Sequence, residues 1–201
     1  MIKAIIFDLG DVFINLEIKK SQDAFKKLGL QNFTNELQQV NKQYEIGVIS
    51  ETEFLSAFAI KIPNATFDEI KNAWNLIIGD FPQNRLDFLK SLSKNYRLFL
   101  LSNTDATHIE HFKQKVGADF YNEFKKCFEK IYYSFEVGMR KPNVEIFTYV
   151  LLEQNLIANQ TLFVDDKLEN IESAKVLGIQ TWHLQVGMQD ITDLITICKL
   201  S

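Results

Sequence analysis

An α/β fold with a mostly parallel sheet, carrying an α-helical insertion after its first strand, is what this sequence predicts. Three observations predict it. Short β-rich apolar runs end abruptly in polar residues; helical patterns alternate with those runs; and residues 15–85 show helical periodicity with almost no strand. Alternating strands and helices give a parallel sheet covered on both faces.

The first run is 2–7, interrupted only by Lys3 and stopping at Asp8. A strand buried on both faces reads as such a near-continuous apolar run. Similar runs are Arg97–Leu101, ending at Ser102, and Thr161–Val164, ending at Asp165. Ile179–Leu184 is weaker, and Lys130–Tyr133 is a further candidate. Helices are predicted at about 105–116, 143–154 and 169–177, the last stopped by Gly178. In the insertion, four helices are predicted at about 18–28, 33–46, 50–60 and 66–78. Ser50-Glu51-Thr52-Glu53 and Thr66-Phe67-Asp68-Glu69 read as capping boxes. Gly29, Gly47, Gly79, Pro63 and Pro82 punctuate the helices. The organisation expected is a core of residues 1–14 and 86–201 with a helical cap at 15–85.

Composition sets the outer limits. A chain of 201 residues is one domain, or one domain with an insert. At 46% hydrophobic and 24% charged it has an ordinary globular balance. Its 17 phenylalanines, against six tyrosines and two tryptophans, predict a ring-rich core. A net charge of -4 argues against a nucleic-acid partner. No apolar stretch is long enough to span a membrane, and Asp8 interrupts what would be a signal peptide's apolar run. Cys127 and Cys198 have no CxxC partner and read as buried thiols in a reducing cytoplasm. Oligomeric state is not legible.

In open α/β sheets, ligands bind beyond the carboxyl ends of the strands. Here that edge collects Asp8, Ser102-Asn103 and Asp165-Asp166, with Gly138-Met139-Arg140-Lys141-Pro142 between the last two. Clustered carboxylates repel unless a cation sits among them, and oxygen-only ligands favour Mg²⁺. The hydroxyl, amide and ammonium of Ser102, Asn103 and Lys141 suit phosphate oxygens. Asp8 could then attack phosphorus as a nucleophile. Any one of these aspartates alone reads equally as a turn or helix cap. Asn103-Thr104-Asp105 reads as a helix cap as well as a phosphate site.

Phe7-Asp8-Leu9-Gly10-Asp11-Val12, then Leu101-Ser102-Asn103-Thr104, then Arg140-Lys141-Pro142, then Val164-Asp165-Asp166 with Asn170, resembles the haloacid dehalogenase (HAD) superfamily. All four of its motifs occur in order, and the insertion resembles its C1 cap. The first motif, with Tyr44-Glu45-Ile46-Gly47-Val48-Ile49-Ser50, looks most like the branch of glucose-1-phosphate phosphatase-like proteins and the phosphatase half of soluble epoxide hydrolases. The resemblance implies a Rossmann-like core and a Mg²⁺-dependent phosphatase of small cytosolic phosphate esters, such as sugar phosphates. It implies Asp8 as nucleophile and metal ligand, with the Gly10 carbonyl, Asp166, and Asp165 directly or through water as further ligands. Ser102 and Asn103 would hold the phosphoryl group, Lys141 would pair with Asp8 and the phosphoryl charge, and Asn170 would orient the Asp166 loop.

One position departs from that family. Gly10 stands where most of its phosphatases carry a second aspartate that protonates the leaving group. Such a group contributes roughly 10²–10⁴-fold, and losing it costs least with a good leaving group. Asp11 is adjacent, but in an extended segment its side chain would point the other way. Two alternatives stay open: a phospho-ligand binder or regulator without turnover, and a metal-independent 2-haloacid dehalogenase. His108 and His111 read as a surface pair, Trp74 as cap core or a sugar-site wall, Arg140 as a solvated or cap-facing charge, and Cys127 as packing.

Overall fold

Successive side chains of a strand leave on opposite faces, and in this chain both faces are apolar. The computed structural model describes residues 1–200; Ser201, the end of the second expected core segment, lies outside the described residues. β1 (Ala4–Phe7), β2 (Arg97–Ser102), β3 (Lys130–Tyr133), β4 (Thr161–Asp165) and β5 (Gln180–His183) form one parallel sheet in the order β3-β2-β1-β4-β5. Ile5, Phe7, Leu98, Leu100, Leu162 and Val164 face one side. They pack there against α5 (Gln83–Leu92), α6 (Ala106–Val116) and α7 (Ala118–Lys126) through residues such as Leu89, Phe112 and Phe124. Ala4, Ile6, Phe99, Leu101 and Phe163 face the other side, under α9 (Val144–Glu153) and α10 (Leu168–Val176). The short α8 (Ser134–Val137) follows β3, and α11 (Leu194–Ile197) lies near the C-terminus.

Between β1 and β2, ahead of α5, lie α1 (Ile18–Lys27), α2 (Asn35–Glu45), α3 (Glu51–Lys61) and α4 (Phe67–Asn75). They have an apolar cluster of their own, in which Phe25, Phe54, Phe58 and Trp74 meet ring to ring. Both expected capping boxes form: the Ser50 and Glu53 side chains each take the other's backbone N–H, as do those of Thr66 and Glu69.

The strands and seven of the helices lie within three residues of where the sequence puts them. α5 and α7 have no counterpart in the sequence reading. Both carry an i, i+3 apolar signal, Leu86/Leu89 and Tyr121/Phe124, and both are buried by it against the sheet. α5 begins at Gln83, ahead of position 86.

The four helices leave and rejoin the sheet side by side. Leu16 and Ile78 form an antiparallel bridge, and Gly79 N–H donates to the Asn15 carbonyl at 2.9 Å. The strands approach so closely that a Cβ on Gly79 would lie 2.2 Å from the Asn15 oxygen. Gly79→Ala is therefore expected to cost about 1–3 kcal/mol, the usual range for forced overpacking. Urea unfolding measures it, and an unchanged midpoint would mean the junction is free to open.

Candidate active site

Residue 8 follows β1 and residue 165 ends β4, and the register Phe7↔Val164 places Asp8 beside Asp165. The Lys141 ammonium lies between them, 2.7 Å from Asp8 Oδ1 and 2.7 Å from Asp165 Oδ2. It is 1% exposed and also sits over the Phe163 ring. Burial opposes its charge, but Asp165 and Asp8 outweigh that and hold its pKa above the usual lysine value.

Asn103 delivers this lysine. Its Nδ2 donates to the Lys141 carbonyl at 2.8 Å and its Oδ1 accepts the Lys141 N–H at 2.9 Å. The Asn103 oxygen and one of its two amide N–H groups thus brace the lysine loop, and the residue lines the cavity. Asn170 Nδ2 donates to both oxygens of Asp165, at 3.0 and 2.9 Å, and so acts on the Asp166 loop through the neighbouring carboxylate. That loop is held by the Lys167 N–H on Asp165 Oδ1 and by His183, whose Nε2 donates to the Asp166 carbonyl at 2.9 Å.

Asp8, Asp165 and Asp166 each present a carboxylate oxygen within 4.8 Å of the others. The Asp166 carboxylate takes no hydrogen bond among the described residues. Burial, then the like charges of Asp8 and Asp165, push its pKa up to about 6. Three clustered carboxylates, two of them on the Lys141 ammonium, form an all-oxygen donor set of the kind a hard divalent cation takes. Ser102 lies in the same cavity wall, together with Gly10, Asn103 and Lys141.

The expectation for Asp11 needs a correction. The chain does not stay extended after Gly10. Phe13 and Ile14 N–H groups turn back to the Leu9 carbonyl, and Asp11 takes φ 54°, which its short polar side chain tolerates. Asp11 Oδ1 accepts the Leu16 N–H at 2.9 Å. That oxygen ties the side chain to the loop.

His108 and His111 are not a surface pair. His108 is buried and stacks on Trp74, 4.8 Å between ring centres. Its Nε2 donates to the Trp74 carbonyl at 3.2 Å and its Nδ1 lies 3.1 Å from Asp105 Oδ2. Asp105 caps α6 through the His108 N–H and accepts Trp74 Nε1–H at 3.0 Å. Trp74 therefore belongs to the cap core and the cavity wall together. Arg140 faces the helical insertion, pairing with Glu45 at 2.9 Å. Cys127 is packed in the core, and both cysteines are unpaired.

A model of the haloacid dehalogenase-like hydrolase family matches residues 2–178. The chain belongs to that family. Among relatives of this HAD-like hydrolase, a D-ribitol-5-phosphate phosphatase of Bacteroides thetaiotaomicron is 32% identical over 200 residues, covering 93% of this chain and 94% of the relative. A sesquiterpene phosphatase of Aspergillus oryzae is 28% identical, covering 98% and 93%. A solved HAD family enzyme of B. thetaiotaomicron superposes with a TM-score of 0.88 at 33% identity, over 96% of this chain and 98% of that one. A structure of that enzyme in complex with magnesium and inorganic phosphate gives 0.82 at 33%, over 94% and 97%.

The Trp74–His108–Asp105 contact predicts a pH dependence of stability. Burial opposes the His108 charge, yet Asp105 holds its pKa above 6.5; burial opposes the Asp105 charge, yet His108 holds its pKa below 3.8. The histidine's contribution is thus fully present below about pH 6.5 and fades as pH rises through its folded pKa; the aspartate's is present above about 3.8 and is lost toward acid. The stability gap between wild type and His108→Gln should be larger at about pH 5 than at about pH 9. Urea unfolding at both pH values measures it, and a gap that widens with pH would contradict the assignment.

Proposed function

We propose that this HAD-like hydrolase is a magnesium-dependent phosphatase of a small phosphate monoester, working through an aspartyl-phosphate on Asp8. The observation that carries the reading is the buried Lys141 ammonium bridging Asp8 and Asp165, with the Asp166 carboxylate alongside. The phosphatase relatives, and the similar enzyme solved with magnesium and phosphate, support it.

In this reading Asp8 uses a carboxylate oxygen to attack phosphorus in line, and the ester oxygen departs with the bonding pair. Lys141 fixes the nucleophile by its contact to Oδ1 and offsets charge on the phosphoryl oxygens. The Ser102 hydroxyl and the Asn103 main chain hold the phosphoryl group. Asp8, the Gly10 carbonyl and Asp166 would ligate Mg²⁺, with Asp165 directly or through water, and the bound ion would supply charge neutralisation at the phosphoryl oxygens. Asn170 keeps Asp165 in register. Water then cleaves the acyl phosphate and restores the carboxylate. Residues 15–85 act as the cap that excludes water and selects substrate, over a core of 1–14 and 86–201. Unpaired thiols support a reducing, cytoplasmic setting.

Gly10 leaves the leaving-group oxygen without a partner from the first motif. Two other groups on the cavity wall are already occupied. Glu45 is bound by Arg140 and Asn41, and both ring nitrogens of His108 are engaged. The protein should favour leaving groups that depart without a proton. A second reading, phosphate-ester binding without turnover, draws on the same glycine.

The test is a rate series on phosphate esters of graded leaving-group pKa, including an acyl phosphate and a sugar 1-phosphate, with Mg²⁺ and with chelator. Expected are loss of activity in chelator, a loss of roughly 10³-fold or more in Asp8→Asn, and rates that climb as leaving-group pKa falls. Full activity of Asp8→Asn removes the mechanism, and equal rates across the series remove the preference. Binding without turnover of any ester would favour the second reading.

A further inference from the structure

We propose that His183, at the end of β5, and Gln185, just beyond it, set the affinity of the site for Mg²⁺ by fixing the main chain of Asp166. They are positioning residues: neither lines the cavity, and both act through that aspartate. This rests on the phosphatase reading above, in which Asp166 is a metal ligand, and adds to it the groups that aim that ligand.

The two adjacent aspartates are held in opposite ways. The Asp165 carboxylate takes Lys141 Nζ, Asn170 Nδ2 and the Lys167 N–H, and its carbonyl takes the Leu184 N–H at 3.1 Å. The Asp166 carboxylate takes no hydrogen bond among the described residues, which leaves both of its oxygens to a cation. It also leaves that carboxylate with nothing to hold it. Asp8 and Asp165 each bring a carboxylate oxygen within 4.8 Å, and until a cation binds, like charges at that range repel. An aspartate side chain has only two torsions, each with few favoured settings. Whether the Asp166 carboxylate stays at the cluster is therefore decided by the position of its own main chain.

His183 holds that main chain. It pairs in register with Asp165 on β5, the edge strand of the sheet, and its Nε2 lies 2.9 Å from the Asp166 carbonyl. A carbonyl only accepts, so Nε2 carries the hydrogen. Gln185 supports the same tautomer. Its Nε2 lies 2.9 Å from His183 Nδ1 and 3.3 Å from the His183 carbonyl. That carbonyl also needs a donor, which puts the amide nitrogen there and leaves Nδ1 as the acceptor.

Gln185 is fixed in turn. Its N–H donates to Gln189 Oε1 at 3.0 Å, and its carbonyl accepts the Met188 and Gln189 N–H groups at 3.0 and 2.9 Å. A turn outside the cavity thus reaches the metal ligand through one imidazole. Outer groups that orient a ligand typically carry roughly 10–100-fold in metal affinity.

The test titrates Mg²⁺ into substrate-free protein by calorimetry, in wild type, His183→Ala, His183→Gln, Gln185→Ala and Asp166→Ala. His183→Ala should weaken Mg²⁺ binding about tenfold. His183→Gln, whose amide nitrogen can donate to the same carbonyl, should recover most of that loss. Gln185→Ala, a change at an exposed residue, should weaken binding by a smaller factor. Equal affinity in His183→Ala and wild type overturns this inference and leaves the phosphatase reading standing. So does a loss that His183→Gln fails to restore, since that marks a general loosening of the fold. Should His183→Ala not fold, Gln185→Ala decides alone, and an unchanged affinity there overturns the inference. Wild type that binds no Mg²⁺, or Asp166→Ala that binds it as tightly as wild type, overturns the metal site of the phosphatase reading itself.

Discussion

A lysine ammonium sealed inside the protein is stable only where carboxylates surround it. Lys141 meets that condition because the sheet order sets β1 beside β4, so that the residue after one strand and the last residue of the other face the same point. Removing either partner would leave a buried charge uncompensated. Asn103 grips the lysine main chain from both sides, and Asn170 fixes the Asp165 carboxylate. The end of β2, through the lysine main chain, and the start of α10, through Asp165, are thus tied to the same residue. Side chains held by this many partners are pre-organised, which is what electrostatic catalysis of phosphoryl transfer needs.

The helical insertion meets that edge through polar contacts rather than through one continuous apolar core. Trp74 and His108 stack over Asp105, Tyr44 pairs with Thr107, which donates to Glu51, and Arg140 crosses to Glu45. Its apolar cluster is separate from the two that flank the sheet. Directional contacts of this sort fix the registry of two packed bodies. They also place the wall formed by Asn41, Glu45 and Trp74 opposite the carboxylates.

Much of this was legible in the sequence because it depends on local pattern. Asp8, Ser102 and Asp165 stand where β-rich apolar runs stop, which marks the carboxyl edge without knowledge of the strand order. Ser50 and Thr66 announce their helices by a spacing of three. The rest depends on contacts between distant segments. Nothing near His108 tells that Trp74, 34 residues earlier, will cover it, so its spacing to His111 reads as a surface pair. The Asn103 amide suits phosphate as a residue type, and only the fold brings the Lys141 main chain against it. Asp11 fails for a local reason: an aspartate that accepts the left-handed region lets the chain turn where the alternation rule assumes extension. α5 and α7 carry a legible period, but Pro82 and Gly117 precede them and supply no side-chain cap to announce a helix.

The account's central claim is that Asp8 takes the phosphoryl group, and trapping that group is the direct measurement. The enzyme would be acid-quenched during turnover of a reactive phosphate ester, digested, and analysed by mass spectrometry. With no first-motif acid at position 10 to assist water, the intermediate should accumulate, and the account predicts a phosphoryl adduct on the Asp8 carboxylate. Turnover with no adduct, or with an adduct at another residue, would contradict it.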